Sequence, residues 1–295
     1  MAREKADREW ELEVEELTVR VREMGDPEGE PVIHFHGTPG SRLELAWAWA
    51  QSAMEEAGVR MIAFDRPGYG GSTRARFSLR SVAELATRVA DAAGLAEFRT
   101  IGWSGGGPFA LATAVTAPDR VRAVGIVAGA GPFQLVPGAL EELSEGDAAA
   151  ERLLPGDPEG AAAGFLGDFD LSAALVDSAA LYEAFEPMLC AWDRDQWRTP
   201  GRATAILEEM REALRVGAWG CAWDNVAWIG DWDVDPTTVS CPVRLWYGSE
   251  DRMALPAHAY WYEENLPSAT LTMREGEGHL LPHAHLPEML QELLT

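Results

Sequence analysis

Residues 100–107 read Thr-Ile-Gly-Trp-Ser-Gly-Gly-Gly, a short apolar run leading straight into a serine framed by glycines. Gly102-Trp103-Ser104-Gly105-Gly106 fits G-x-S-x-G, a pattern that describes a geometry as well as a string. A serine on a sharp strand-to-helix turn takes strained backbone angles, and its neighbours must be small for the turn to close. Glycine at 102 and 106 removes the side chains that would clash there. The following segment, 108–115, reads as a helix opened by Pro108, which a first turn tolerates. Ser104 is then expected at a helix N-terminus, where partial positive charge favours a developing anion.

A serine hydroxyl attacks poorly unless a base takes its proton. That base is expected to be a histidine held by a carboxylate. In an open parallel sheet such groups gather at the carboxyl ends of strands. Asp251 lies in Tyr247-Gly248-Ser249-Glu250-Asp251, just past one predicted strand, and His279 in Gly276-Glu277-Gly278-His279, just past the last. The chain order Ser104, Asp251, His279 gives nucleophile, acid and base. Glu250 adjoins Asp251 and stands as an alternative acid, whereas 128–132, after another predicted strand, offers no carboxylate. His34 reads as a packing residue within a strand, and His36 as structural. His258 belongs to a helix, and His283 and His285 to the start of the last one. The oxyanion needs donors, and removing one typically costs roughly 10²–10³ in rate. The backbone amides of Gly105 and of Thr38, in the loop after His36, are the candidates. Asp65-Arg66-Pro67-Gly68 reads as a structural turn.

The elements that must position these groups alternate. Partial alternation over 12–23 suggests a hairpin of amphipathic strands. Strands are predicted at 32–36, 60–64, 121–127, 243–247 and 270–273. Helices are predicted at 42–57, 81–93 and 287–294. This order implies parallel βαβ units covered on both faces. From about 132 to 236 no strand pattern appears, while 179–189 and 203–216 read as helical. An all-helical insertion inside one α/β domain is the simplest account.

The chain has 295 residues and a formal net charge of −24, from 48 acidic and 24 basic residues. Such a surface repels phosphate backbones and anionic lipid, which argues against nucleic acid or membrane as partner and mildly prefers a neutral or cationic substrate. Cys190, Cys221 and Cys241 make no disulfide framework and lack metal-site spacing, so reduced thiols and no metal are expected. The charged N-terminus lacks a signal-peptide core, and no apolar run approaches the roughly 20 residues of a membrane span. A cytoplasmic protein is expected. Gly105-Gly106-Gly107 lacks the lysine of a P-loop, and no dinucleotide fingerprint appears, so no cofactor is expected.

The chain resembles α/β-hydrolase-fold proteins of the capped serine-hydrolase type. His36-Gly37-Thr38-Pro39-Gly40 is similar to their H-G-x-P oxyanion loop, and Asp65-Arg66-Pro67-Gly68-Tyr69-Gly70-Gly71-Ser72 to their D-x-x-G-x-G-x-S turn. The serine turn, Asp251 and Gly278-His279 fall where that family has its nucleophile, acid and base. The resemblance implies a mostly parallel central sheet with helices on both faces. It divides the chain into a core over 1–131 and 237–295 and a helical cap over 132–236. Aspartate-nucleophile members such as dehalogenases and epoxide hydrolases are disfavoured, because position 104 is serine. Proline iminopeptidases have H-G-G-P-G where this chain has Thr38, and serine-tryptophan where it has Ser104-Gly105.

The insertion is rich in tryptophan, at Trp192, Trp197, Trp219, Trp223, Trp228 and Trp232. Most are expected to hold helices together, and some to wall a pocket. Trp103, Trp223 and Trp228 are the candidate substrate contacts, with Asp224 and Asn225 as polar ones. The expected activity is hydrolysis of a small to medium, largely apolar ester, lactone or amide through an acyl-enzyme. The alternatives are carbon–carbon bond hydrolysis or lyase or cyclase chemistry on the same triad, an iminopeptidase-like activity, and a non-catalytic small-molecule receptor.

Overall fold

A computed structural model describes residues 7–295, apart from the side chain of Asp168. The strands are β1 (Arg8–Val14), β2 (Leu17–Gly25), β3 (Glu30–Phe35), β4 (Val59–Phe64), β5 (Phe98–Trp103), β6 (Val121–Val127), β7 (Val243–Gly248) and β8 (Ala269–Arg274). The helices of the core are α1 (Ala48–Ala57), α2 (Leu79–Ala92) and α3 (Gly107–Thr116). Those between β6 and β7 are α4 (Glu145–Glu151), α5 (Pro158–Phe165), α6 (Ser178–Phe185), α7 (Ala191–Trp197), α8 (Arg202–Ala213) and α9 (Trp219–Ile229). Two more core helices follow, α10 (Pro256–Asn265) and α11 (Pro282–Leu294).

The strands form one sheet in the order β1-β2-β4-β3-β5-β6-β7-β8. The hairpin β1–β2 and the pair β2–β4 are antiparallel, and every pairing from β4 through β8 is parallel. The parallel strands are buried on both faces, so β4 and β6 read as near-continuous apolar runs. Alternate residues still separate. Ile33, Phe35, Ile62 and Phe64 join one cluster with α2, α3 and α10, while Val32, Met61 and Ala63 join another with α1 and α11. Helices therefore cover both faces, as the alternation of elements implies.

Two element boundaries differ from the sequence reading, each for a local reason. The helix expected over 42–57 begins only at Ala48. The Arg42 amide is bonded to Asp65 Oδ1 at 2.7 Å, and Ser41 folds the next residues into a turn. The last helix starts at Pro282, five residues before the proline expected to open it. Pro287 sits inside that helix, where its missing N–H frees the carbonyl four residues back. That carbonyl belongs to His283, and the Arg202 guanidinium donates to it.

Between β6 and β7 the chain forms no strand and is helical, as expected for 132–236. Among the described residues, no helix is long and apolar enough to cross a membrane. The cysteines are free thiols.

Candidate active site

The carboxyl ends of β3, β5, β7 and β8 release the loops that carry the expected residues. Ser104 follows β5 directly, opening a single tight turn that runs into α3. Its φ of 53° lies in the left-handed region that side chains disfavour. A Cβ placed on Gly102 would come 2.3 Å from the Gly106 carbonyl oxygen, and one on Gly106 would come 2.1 Å from that of Phe35. Only glycine fits at either position, so the turn that carries Ser104 at positive φ closes tightly on both of them.

Past β7, Asp251 is 3% exposed, and past β8, His279 is 5% exposed. His279 Nδ1 lies 2.8 Å from Asp251 Oδ2, while Asp251 Oδ1 accepts the amides of Met253 and Ala254 at 2.8 and 3.0 Å. A carboxylate opposite Nδ1 fixes the proton there and leaves Nε2 as the basic nitrogen. Glu250, the alternative acid, is exposed to solvent, and Asp251 makes the contact. Burial disfavours the charged imidazolium of His279. Asp251 outweighs this through charge and hydrogen bonding, Asp193 and Glu44 add to it, and the imidazole is raised above its ordinary value. Ser104 and His279 border one cavity, and among the described residues no hydrogen bond joins them.

The loops bearing Thr38 and Gly105 abut. A Cβ on Gly105 would lie 3.6 Å from the Thr38 amide nitrogen and 2.3 Å from its hydroxyl oxygen. The Thr38 hydroxyl donates to Asp224 Oδ2 at 2.5 Å. Asp224, on α9 and fully buried, also receives the Arg66 guanidinium through Nε and Nη2 and the hydroxyl of Tyr69. Arg66, equally buried, spends its other donors on the carbonyls of His36 and Gly37 at 2.6 and 3.0 Å. His36 Nε2 accepts the Arg66 amide and Nδ1 faces the Gly37 carbonyl. Burial, reinforced by Arg66, pushes its imidazole well below the ordinary value, so it stays neutral. His36 and the turn at Asp65-Arg66 are thus structural, as read from the sequence. Asp224 was expected as a substrate contact. It instead neutralises a buried arginine and holds the Thr38 loop.

A second insertion carboxylate holds the other side. Asp193 of α7 accepts the amides of Leu280 at 2.9 Å and Cys190 at 3.2 Å, and so fixes the chain beside His279. Trp103 Nε1 donates to the His279 carbonyl at 3.1 Å, which makes Trp103 a prop for that loop as well as a wall of the cavity.

Two cavities open from Ser104. The first, about 580 Å³ including space open to solvent, is bordered by Trp47, Trp103, Phe185, Trp197, Glu44 and Glu209. The second, about 1650 Å³ including space open to solvent, is bordered by Gly105, Phe133, Met188, Asn225, Trp228 and His258. Trp228 and Asn225 thus border a cavity that also reaches Ser104. Trp223 borders neither cavity. It is 4% exposed and packs against Trp219, because α9 turns it away from Ser104 and into the core cluster. Glu44 and Glu209 were missed. Glu209 left a trace, lying on the apolar stripe of α8 with Ile206, Met210 and Ala213 at helical spacing. Asp193 left no comparable signal.

A sequence model of the alpha/beta hydrolase fold matches residues 30–285. The chain belongs to the alpha/beta hydrolase fold family. A curated relative, a poly(3-hydroxyalkanoate) depolymerase from Ectopseudomonas oleovorans, is 32% identical over 130 residues, covering 43% of this chain and 44% of that protein. The chain spans less than half the length of the curated relatives it matches. Among solved structures, the esterase RhEst1 from Rhodococcus sp. ECU1013 superposes with a TM-score of 0.67 at 18% identity, over 98% of this chain and 97% of that one. A bromoperoxidase from Bacillus anthracis gives 0.68 at 19% identity, over 97% and 98%. At that identity the likeness is one of fold.

Proposed function

We propose that this member of the family is a serine hydrolase that cleaves a small to medium carboxylic ester through an acyl-enzyme. One observation carries the reading. A serine held at positive φ on a strand-to-helix turn borders the same cavity as a buried imidazole whose far nitrogen is committed to a carboxylate. Ser104 Oγ attacks the ester carbonyl and His279 Nε2 takes its proton. Asp251 keeps the imidazole in the reactive tautomer and stabilises the imidazolium as it forms. The amides of Thr38 and Gly105 receive the oxyanion. His279 then returns the proton to the departing alkoxide, and water, deprotonated in turn by His279, releases the acid and restores the serine.

The helical insertion 132–236 acts as a cap in this reading. Phe185, Trp197 and Glu209 from it face Ser104 and His279 across the first cavity, and Trp228 lines the second. With two chambers opening beside the nucleophile, acyl group and leaving group have separate places. The ester reading is also in keeping with the depolymerase among the relatives.

Ser104→Ala tests it directly. The wild-type protein is expected to turn over p-nitrophenyl acetate and to be labelled by a fluorophosphonate probe, and the variant to do neither. Undiminished turnover by the variant would refute Ser104 as nucleophile.

A further inference from the structure

The described carboxylates buried in the interior, Asp26 apart, are each held by two or more residues, with one exception. Glu23 takes two arginines and an indole, and Asp65 takes Arg42 and two amides. Asp193 takes two amides, Asp224 takes Arg66, Tyr69 and Thr38, and Asp251 takes His279 and two amides. Glu44 takes His34 at Oε2 and the Gly37 amide at Oε1, each at 2.7 Å. The exception is Glu209. It is 4% exposed, and among the described residues its support comes from Ser41 alone, whose hydroxyl donates to Oε1 at 3.2 Å and whose backbone also hydrogen-bonds it. Among those residues no arginine, lysine or histidine pairs with it.

A charge in that position is costly unless something else arrives to meet it. Glu209 borders the first cavity, and so do Glu44, the reactive serine and the aromatic side chains Trp47, Trp103, Phe185 and Trp197. No arginine or lysine borders it. Trp197 makes an independent point. Its side chain is 4% exposed and borders the same cavity, yet its Nε1–H finds no acceptor among the described residues. A buried carboxyl without a charged partner and an indole N–H without an acceptor, on two residues that border one cavity, describe a site with room for a ligand's hydrogen bonds. The sign of the site follows from its two carboxylates and from an aromatic lining, which attracts cations. A net charge of −24 concentrates cations around the whole molecule.

We propose that the first cavity receives a protonated amine carried by the substrate, with Glu209 as the residue that selects it. This rests on the hydrolase reading for its meaning, since it names the substrate as an amine-bearing ester. Until a ligand binds, burial above all, and then the facing Glu44 carboxylate, hold the Glu209 carboxyl well above the usual carboxylate range. An incoming ammonium reverses that balance. The carboxylate form of Glu209 is favoured as the amine binds, and the ammonium keeps its own proton.

The test is a binding measurement, so it stands apart from turnover. Hexylamine, protonated at pH 7.5, and 1-hexanol are titrated calorimetrically into the wild-type protein and into Glu209→Gln, whose fold is checked by circular dichroism and thermal melting. Hexylammonium is expected to bind the wild type at least about tenfold more tightly than hexanol, a preference of about 1.4 kcal/mol. Glu209→Gln should lose the preference. Equal affinities in the wild type, or a preference that survives in Glu209→Gln, would overturn the proposal. Should Glu209→Gln not fold, Glu209→Met, which fills the same space without an acceptor, replaces it under the same criteria. No amine preference in the wild type with its ester turnover intact sinks this inference alone, whereas absence of ester turnover with the wild-type preference present and lost in Glu209→Gln sinks only the hydrolase reading.

Discussion

Asp224 accepts the hydroxyl hydrogen bond of Thr38 at 2.5 Å across 186 positions of sequence. One residue lies on a helix of the insertion and the other on the loop after the third strand. The same carboxylate neutralises Arg66, which grips the carbonyls of His36 and Gly37 just ahead of Thr38. The loop proposed to offer an amide to the oxyanion is therefore fastened by a helix of the insertion.

Thr38→Val keeps the amide and removes the fastening. Losing a whole oxyanion donor costs roughly 10²–10³ in kcat, so a donor left in place but loosened is expected to cost about tenfold. KM should change little, because the hydroxyl does not face substrate in this reading. Asp224→Asn is harsher. It leaves the buried Arg66 without its counter-charge, and a loss of about 3–5 kcal/mol is expected in urea unfolding. A Thr38→Val variant with unaltered kcat would separate Asp224 from catalysis.

The pH profile of ester turnover carries the signature of His279. Its imidazole is raised above the ordinary histidine value, mainly because Asp251 outweighs the effect of burial. The reaction needs the neutral base. Activity should therefore fall as pH drops through that raised value, placing the acid limb of kcat/KM above about 6.5. Stability runs the other way: the part owed to the imidazolium is present in acid and is lost as pH rises through the folded value. Glu44→Gln removes a charge that raises His279, so its acid limb should move to lower pH. A limb that stays put in that variant would show that Glu44 does not act on the imidazole. Asp251→Asn should cost roughly 10⁴-fold in kcat, because the tautomer is no longer fixed.

Gly102→Ala tests the turn beneath the nucleophile. The added methyl would sit 2.3 Å from the Gly106 carbonyl oxygen, and backbone gives way far less readily than side chain. A loss of roughly 2 kcal/mol or more in urea unfolding is expected, together with loss of fluorophosphonate labelling. A variant as stable and as reactive as the wild type would mean that the turn can close by another route.

The fold was legible where local rules act alone. Apolar runs alternating with amphipathic ones gave a parallel sheet covered on both faces, and Gly102 and Gly106 marked a turn with no room for side chains. The sequence misled where distant partners override a local preference. Pro287 is a sound helix opener in isolation, yet it lies inside α11 because Arg202 takes up the carbonyl it frees. Arg42 looks like a helix start, yet its amide is claimed by Asp65, 23 residues on.

Residue types and order by themselves determined the family's frame and the strand ends from which Ser104, Asp251 and His279 emerge. Which carboxylates meet solvent, an arginine or an empty chamber was decided only by the tertiary structure. In the sequence Asp193 is an acidic residue like any other among 48, Asp224 stands out only as a candidate substrate contact, and Glu209 only as a charge on an apolar stripe. The folded chain fastens the His279 loop with the first, the Thr38 loop with the third, and leaves the second bordering the cavity with Ser41 alone. The reason is physical. A buried charge takes its role from the groups that surround it in space, and those groups come from segments that spacing along the chain does not connect.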